Sequence, residues 1–306
     1  MSRVLVVGHA CVDLITRLSR RPGTDEKLEA EVAWFGGGGP GANAAVALRR
    51  LGHEVSLAAR LGRDPAGGVA ERELLDEGVD LLEPRAEGTT SLAQIQVVGE
   101  ERSIAWKRGD TPPLDPDADT VDAWFEGVDL LYVDGHERGC AHRVVRRAVE
   151  RGVPVMADLG TLREGVEEWL PHLVWAVGSE RFGRALSGGS EDPDAWLDAL
   201  SAAASSAIGV GTTRGRRGGI ARVGDRRLRW GPRKVRVRDT TAAGDAFHAG
   251  LADAYLHERD PEASLQWAAA VGASVCRDLG GRQMLPRDRT RMEAFERAWP
   301  ELDPDR

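Results

Sequence analysis

The stretch with the clearest chemical potential is Asp-Thr-Thr-Ala-Ala-Gly-Asp-Ala-Phe-His-Ala-Gly, residues 239–250. From Asp245 onward it reads as a helix, and directly before it stand Ala242, Ala243 and Gly244. The first N–H groups of a helix have no intrahelical acceptor, and the helix dipole adds partial positive charge. Small residues at that point leave a concavity able to hold an anion such as phosphate. Asp245, just inside the hole, is expected to stay ionised and to accept a hydroxyl proton as an alcohol attacks phosphorus. The competing reading is a capping aspartate after a turn.

A second candidate is Gly-Gly-Gly-Gly-Pro-Gly-Ala-Asn, residues 36–43. Gly36, Gly38 and Gly41 satisfy a Gly-x-Gly-x-x-Gly spacing. The run does not follow the first buried strand, and Pro40 interrupts it, so a dinucleotide fingerprint is a poor fit. It reads better as a loop where backbone comes close to a polar ligand, with Asn43 offering both donor and acceptor. A plain flexible turn is the alternative. The chain contains no Gly-Lys, hence no P-loop, so phosphate has to be handled by the 242–245 helix start.

These segments need a frame. The 306 residues are 42% hydrophobic and 29% charged, ordinary globular material for one large domain. A formal charge of −8 implies no general affinity for nucleic acid. Cys11, Cys140 and Cys276 are odd in number and scattered, which favours a reducing, cytoplasmic setting over disulfides or a zinc site. No signal peptide is evident, and no apolar run approaches the ~20 residues of a membrane span. Short apolar runs at 3–8, 129–135, 153–160 and 173–178 alternate with helical patterns at 39–52, 65–78 and 138–152. That rhythm predicts a parallel sheet covered on both faces, with any site at the carboxyl ends of its strands. Residues 25–35 and 91–106 instead alternate like strands, the second with a hairpin turn, and suggest a lid. The last helices are expected at 261–279 and 287–298.

Taken together, the glycine run, the Asp-Thr-Thr-Ala-Ala-Gly-Asp segment, the N-terminal Gly-His-Ala-Cys-Val-Asp-Leu and the lid-like strands resemble the ribokinase, or PfkB, family of sugar kinases over essentially the whole chain. Within that family the sequence is most similar to the ketohexokinase and sulfofructose kinase branch, through 239–252 and Cys-Arg-Asp-Leu-Gly-Gly-Arg-Gln-Met-Leu-Pro at 276–286. The resemblance implies one α/β domain over 1–306: a three-layer α/β/α fold with a mainly parallel central sheet and a small antiparallel β lid from about 14–35 and 89–108. It implies transfer of the γ-phosphate of ATP, with Mg2+, to a sugar hydroxyl, and leaves a monovalent-cation requirement open. It makes Asp245 the catalytic base and Ala242, Ala243 and Gly244 the anion hole. Asp13, Lys27, Gly38, Gly39, Asn43 and Trp106 become sugar contacts. Thr213, Gly215, Gly218, Ala273 and Cys276 become nucleotide contacts. The expected partners are a small sugar and ATP, with no nucleic acid or membrane, and the lid is expected to pair two subunits into a homodimer.

Three departures qualify the likeness. Ala242 stands where a glycine is usual, which would cost ~1–2 kcal/mol if that position needs positive φ. The family's Asn-x-x-Glu motif, linked to magnesium, falls on Ser179-Glu180-Arg181-Phe182, so no residue is assigned to the metal. The arginine and asparagine expected of sulfonate-binding relatives are replaced by Gly135-His136 and Trp106. A neutral ketohexose is therefore ranked first. Sulfofructose, ribose, a sugar acid, a nucleoside and a non-catalytic sugar sensor on the same fold are the alternatives. His9, His136 and His248 are expected to be structural, Lys27 and Lys107 are as readily surface charge, and Trp106 as readily core.

Overall fold

The computed structural model describes residues 1–298, so residues 299–306 of the expected domain lie outside the described residues. In chain order the elements are β1 (Arg3–Val7), β2 (Cys11–Leu18), β3 (Val32–Gly38), α1 (Pro40–Arg50), β4 (Glu54–Ala58), α2 (Pro65–Asp76), β5 (Asp80–Leu81), β6 (Leu92–Val98) and β7 (Glu101–Lys107). Next come α3 (Ala118–Trp124), β8 (Leu130–Val133), α4 (Arg138–Arg151), β9 (Val155–Ala157), β10 (Leu173–Ser179), α5 (Glu180–Leu186) and α6 (Pro193–Ala203). The chain closes with β11 (Gly209–Thr213), β12 (Gly219–Val223), β13 (Arg226–Trp230), α7 (Ala243–Leu256), α8 (Pro261–Val275) and α9 (Arg289–Arg297).

A nine-stranded sheet runs β13-β12-β11-β10-β9-β8-β1-β4-β5, with every pair from β11 to β5 parallel and β12 and β13 antiparallel. Strand alternation splits β1 between two cores: Val4 and Val6 pack with α1, α2, α7 and α8, and Leu5 and Val7 with α3 and α4. All four are at most 1% exposed, which is why the strand reads as an unbroken apolar run. Several helices begin where the sequence signals them. Asp64 accepts from the Gly67 N–H at 2.9 Å ahead of Pro65, and Asp260 caps α8 ahead of Pro261.

The lid is a separate four-stranded sheet, β3-β2-β6-β7. Its β2–β3 and β6–β7 pairs are antiparallel, whereas β2 and β6 run parallel. The strand expected from residue 25 begins at Val32; residues 19–31 form a turn-containing loop instead. Ile15, Ala93, Ile95 and Val97 make a small apolar underside with Leu279 from the segment after α8. That places the lid over the carboxyl ends of the parallel strands.

Candidate active site

The floor is set by a carboxylate that binds only backbone. Asp134, just after β8 and 2% exposed, accepts the N–H groups of His9, Gly41 and His136 at 2.7, 2.8 and 2.9 Å. It thereby ties the end of β1 to the start of α1. Asp134 is fully occupied by this work and presents nothing to a ligand.

The glycine run answers mainly to protein neighbours. A side-chain carbon on Gly38 would lie 2.1 Å from the Asp13 carboxylate, and one on Gly37 2.7 Å from Arg282. Gly39 has φ 93 and would clash with the His9 carbonyl at 2.5 Å. Of the two glycines predicted to contact the sugar, Gly39 lines the cleft, while Gly38 stands behind Asp13 and makes room for it.

A cleft of about 270 Å³ opens between the lid and this floor. It brings together Asp13, Gly39, Asn43, Trp106, Ala242 and Asp245, drawn from four distant stretches of sequence. Asp13 is 5% exposed, takes a thiol hydrogen bond from Cys11 at 3.2 Å, and has its pKa raised by burial. Asp245 sits in the first turn of α7 and accepts the Asn43 amide N–H at 2.8 Å. Burial, and then the nearby Asp158 carboxylate, push its pKa up to about 7; the Asn43 hydrogen bond pulls the other way. This weighs against a permanently ionised Asp245: in the ligand-free protein its carboxyl is harder to ionise than an ordinary aspartate.

The helix start has the form of an anion hole. The Ala246 N–H is bonded to the Ala242 carbonyl and the Ala243 N–H to Thr240, which leaves those of Gly244 and Asp245 at the open turn. Gly244 is exposed, and a side-chain carbon there would meet nothing within 4 Å. Ala242 caps the helix at φ 60, ψ 9, the left-handed region, so the position does require the conformation that glycine adopts freely. His248 is structural as expected, with ring nitrogens 2.9 Å from the Gly244 carbonyl and 2.8 Å from that of Val177.

The far end of the cleft is aromatic. His9 and His136 stack at 4.7 Å, and Trp106 meets His9 edge-on at 6.3 Å. Burial lowers both imidazole pKa values to about 4, with neighbouring positive charge acting in the same direction, so both rings are neutral at physiological pH. Trp106 is 53% exposed, on the cleft wall and not in the core. Lys27 is exposed in the 19–31 loop and is not among the residues lining the cleft.

The predicted nucleotide contacts fall at the end of β11, in the loop after it and at the end of α8, and none of them lines the cleft. Thr213 ends β11, and Gly215 follows at φ 55 with open space beside it. Gly218 is required by the fold, since a side-chain carbon would sit 2.0 Å from the Trp230 carbonyl. Ala273 and the buried Cys276 belong to the end of α8, which packs so closely on α7 that Gly272 has room for no side chain against the Ala243 carbonyl. At 179–182, Ser179 caps α5 by accepting the Phe182 N–H, and Glu180 is held by Arg184 and Arg217. Neither is free for a metal. Asp158, just after β9, has among the described residues no donor nearer than His248 Nδ1 at 3.4 Å, so its carboxylate remains available.

Sequence reasoning missed Asp158, Asp134 and Arg282. The first two follow short buried strands, a position that the strand-end rule marks in general terms. Arg282 lies inside the 276–286 segment that carries the resemblance, but nothing there marks the arginine itself for the site.

A family model described as pfkB family carbohydrate kinase matches residues 1–288. The chain is 26% identical over 302 residues to the ribokinase of Bacillus subtilis (strain 168), covering 97% of this chain and 99% of that one. It is 27% identical to the ATP-dependent ribose-1-phosphate kinase of Halopiger xanaduensis, covering 92% and 94%. The structure of Arabidopsis thaliana ribokinase complexed with ribose and ATP superposes with a TM-score of 0.80 at 23% identity, over 97% of this chain and 99% of that one, a likeness of fold.

Proposed function

The chain belongs to the pfkB family of carbohydrate kinases, and from that premise we propose that it phosphorylates a small neutral sugar, with a ribose-type pentose ahead of a ketohexose. The ATP-dependent carbohydrate kinase activity follows from the family; the sugar is our reading. The observation that carries it is the placement of Asp245: a carboxyl with a pKa of about 7, at a helix start lined by small residues, in one cleft with Asp13 and Asn43. A base titrating near working pH is well matched to taking a proton from an alcohol. The N–H groups of Gly244 and Asp245 would receive the transferring phosphoryl group.

The nucleotide would lie along Thr213, Gly215 and the end of α8, past Ala273 and Cys276. ATP supplies the phosphoryl group and Mg2+ neutralises its charge. Mg2+ usually keeps several waters and binds through substrate phosphates and one or two carboxylates. Asp158 fits the part of accepting hydrogen bonds from such waters, since its carboxylate is otherwise uncommitted.

Relatives named for ribose cover nearly the whole chain, which moves the pentose ahead of the ketohexose favoured by the sequence motifs. The neutral His9 and His136 give an anionic sugar no charge of their own, while Arg102 on the cleft wall keeps the anionic sugars in the comparison. A nucleoside is the second reading, favoured by the flat faces of His9, His136 and Trp106. An ADP-release assay across ribose, deoxyribose, fructose, sulfofructose, sugar acids, ribose 1-phosphate and nucleosides decides. We expect the highest kcat/KM for ribose; a nucleoside or an anionic sugar at the top overturns the ranking.

We also propose that two chains pair through the lid. Leu14 and Phe35, neither of which lines the cleft, are 36% and 52% exposed. Light scattering at micromolar concentration is expected to give a dimer, and a clean monomer rejects it.

A further inference from the structure

Arg282 lies in the segment between α8 and α9 and is only 5% exposed. An arginine so deeply buried is unusual without a dedicated carboxylate, and Arg282 has only a long ion pair to a shared one. Glu73, 3.6 Å from its Nη1, is itself taken up by the Gly37 N–H at 2.8 Å. Arg282 directs its best hydrogen bond elsewhere: Nε donates to Asn43 Oδ1 at 2.9 Å. A weaker contact reaches the Gly38 carbonyl at 3.4 Å. Its own carbonyl is clamped by Arg50 at 2.7 Å, and Arg50 is paired with Glu77, so the backbone that carries Arg282 is fixed.

A guanidinium can only donate. The atom of Asn43 that faces it must therefore be the carbonyl oxygen, and this settles the orientation of the amide. The other end, Nδ2, is then the one directed at Asp245 Oδ2, 2.8 Å away. We infer that Arg282 is a positioning residue for phosphotransfer: by holding the Asn43 carbonyl, it keeps the amide N–H, and not the oxygen, turned toward Asp245.

The orientation has chemical consequences. An N–H facing Asp245 favours its carboxylate, the form that accepts the hydroxyl proton. A flipped amide would present an oxygen, which a protonated Asp245 would bond, and the base would be disarmed. The contact also fixes which carboxylate oxygen is free, since Oδ2 is occupied and Oδ1 is left for the sugar. No other group facing Asp245 can substitute. Asp158 after β9 is a like charge, while His248 on α7 is engaged with backbone carbonyls. Arg102 on β7 acts only through its charge, and Tyr132 on β8 and Cys11 on β2 have pKa values that this carboxylate helps to raise.

Asn43 is the only asparagine in the chain, so asparagine labelled with nitrogen-15 in its side chain reports this amide alone. The inference rests on Asp245 as the base, but this measurement reads the relay without any substrate. In the wild-type protein the two amide protons should give separate signals that shift as Asp245 titrates. In Arg282→Met the pair should draw together toward free asparagine and the titration midpoint should rise. Arg282→Lys, which keeps the cation but loses the planar fork, serves if the methionine variant does not fold and should show the same change in smaller measure. With ribose and MgATP, Arg282→Met should lower kcat by about tenfold or more and leave the ATP KM unchanged. In an Asn43→Ala background it should lower kcat no further. Unchanged amide signals and midpoint in both variants overturn the inference, and so does a loss of kcat that is undiminished in Asn43→Ala. If ribose is not turned over, the substrate reading fails and the amide measurement still stands.

Discussion

Helix α7 carries two carboxylates eight residues apart, and the protein treats them oppositely. Asp245 opens the helix in the cleft; Asp253, two turns on, is 0% exposed. Burial alone would raise both. At Asp253 it is outweighed by the His53 hydrogen bond at 2.9 Å and by Arg289, and the pKa is lowered. At Asp245 the neighbours are an amide and another carboxylate, and the pKa rises to about 7. The same residue type on one helix becomes a fixed anion in one place and a titrating base in the other. Whether a cationic partner is packed beside it makes the difference. The buried ion pair serves the fold; the uncompensated carboxyl is a cost that the fold carries for chemistry.

Exchanging each for its amide tests the contrast. Asp245→Asn should fold, because asparagine is equally at home in a helix-start position. Its kcat should fall by roughly 10²–10⁴. Its stability should move the other way. A carboxyl whose folded pKa is raised weakens the fold as pH climbs from about 4 to about 7, because the unfolded chain ionises first. The variant should therefore melt above wild type at pH 8, and the gap should close near pH 4. Asp253→Asn should do the reverse: it leaves Arg289 without its buried partner, costs about 3 kcal/mol, and hardly changes kcat of the folded fraction. Calorimetry and turnover on both variants check the pair. Near-wild-type turnover in Asp245→Asn would remove it from the mechanism.

How much of this was legible in the sequence follows the same line. Asp245 and the helix start stand out through a local run of small residues ahead of a helix, Asn43 through the glycine run, and Asp13 only through the family resemblance. The parallel sheet announces itself because strands buried on both faces must be apolar throughout. Arg282 and Asp158 do not, since each gains its role from residues more than eighty positions away. The pKa of Asp245 is of that kind too: Asp158 is delivered by β9, so the local reading of an ionised base could not anticipate it. Gly39 of the glycine run lines the cleft, while the space beside Gly36, Gly37 and Gly38 is filled by Trp34, Glu73, Arg282 and Asp13, which no local pattern announces. Lys27 was placed by likeness, and the 19–31 loop holds it in solvent.

The smallest effect concerns the one residue at the site that breaks a backbone rule. Ala242 sits at φ 60, where a methyl group costs ~1–2 kcal/mol relative to glycine. Glycine would relieve that strain, but it is also freer in the unfolded chain, which returns roughly 0.5–1 kcal/mol. The net gain of Ala242→Gly should lie between about 0 and 1.5 kcal/mol, seen as a melting point higher by at most a few degrees. Its kcat should change less than tenfold, about 1.4 kcal/mol, because the N–H groups that face the cleft are those of Gly244 and Asp245. The methyl has a second effect that makes the test sharper. A side-chain carbon on Gly281 would lie 2.2 Å from Ala242 Cβ, so the alanine imposes a glycine on the segment that carries Arg282. Gly281→Ala should therefore damage the wild-type protein and be far better tolerated beside Ala242→Gly, where the obstructing atom is gone. A rise in kcat well beyond tenfold in Ala242→Gly would mark the helix start as a degraded phosphate site and favour a sugar-sensing protein over a working kinase.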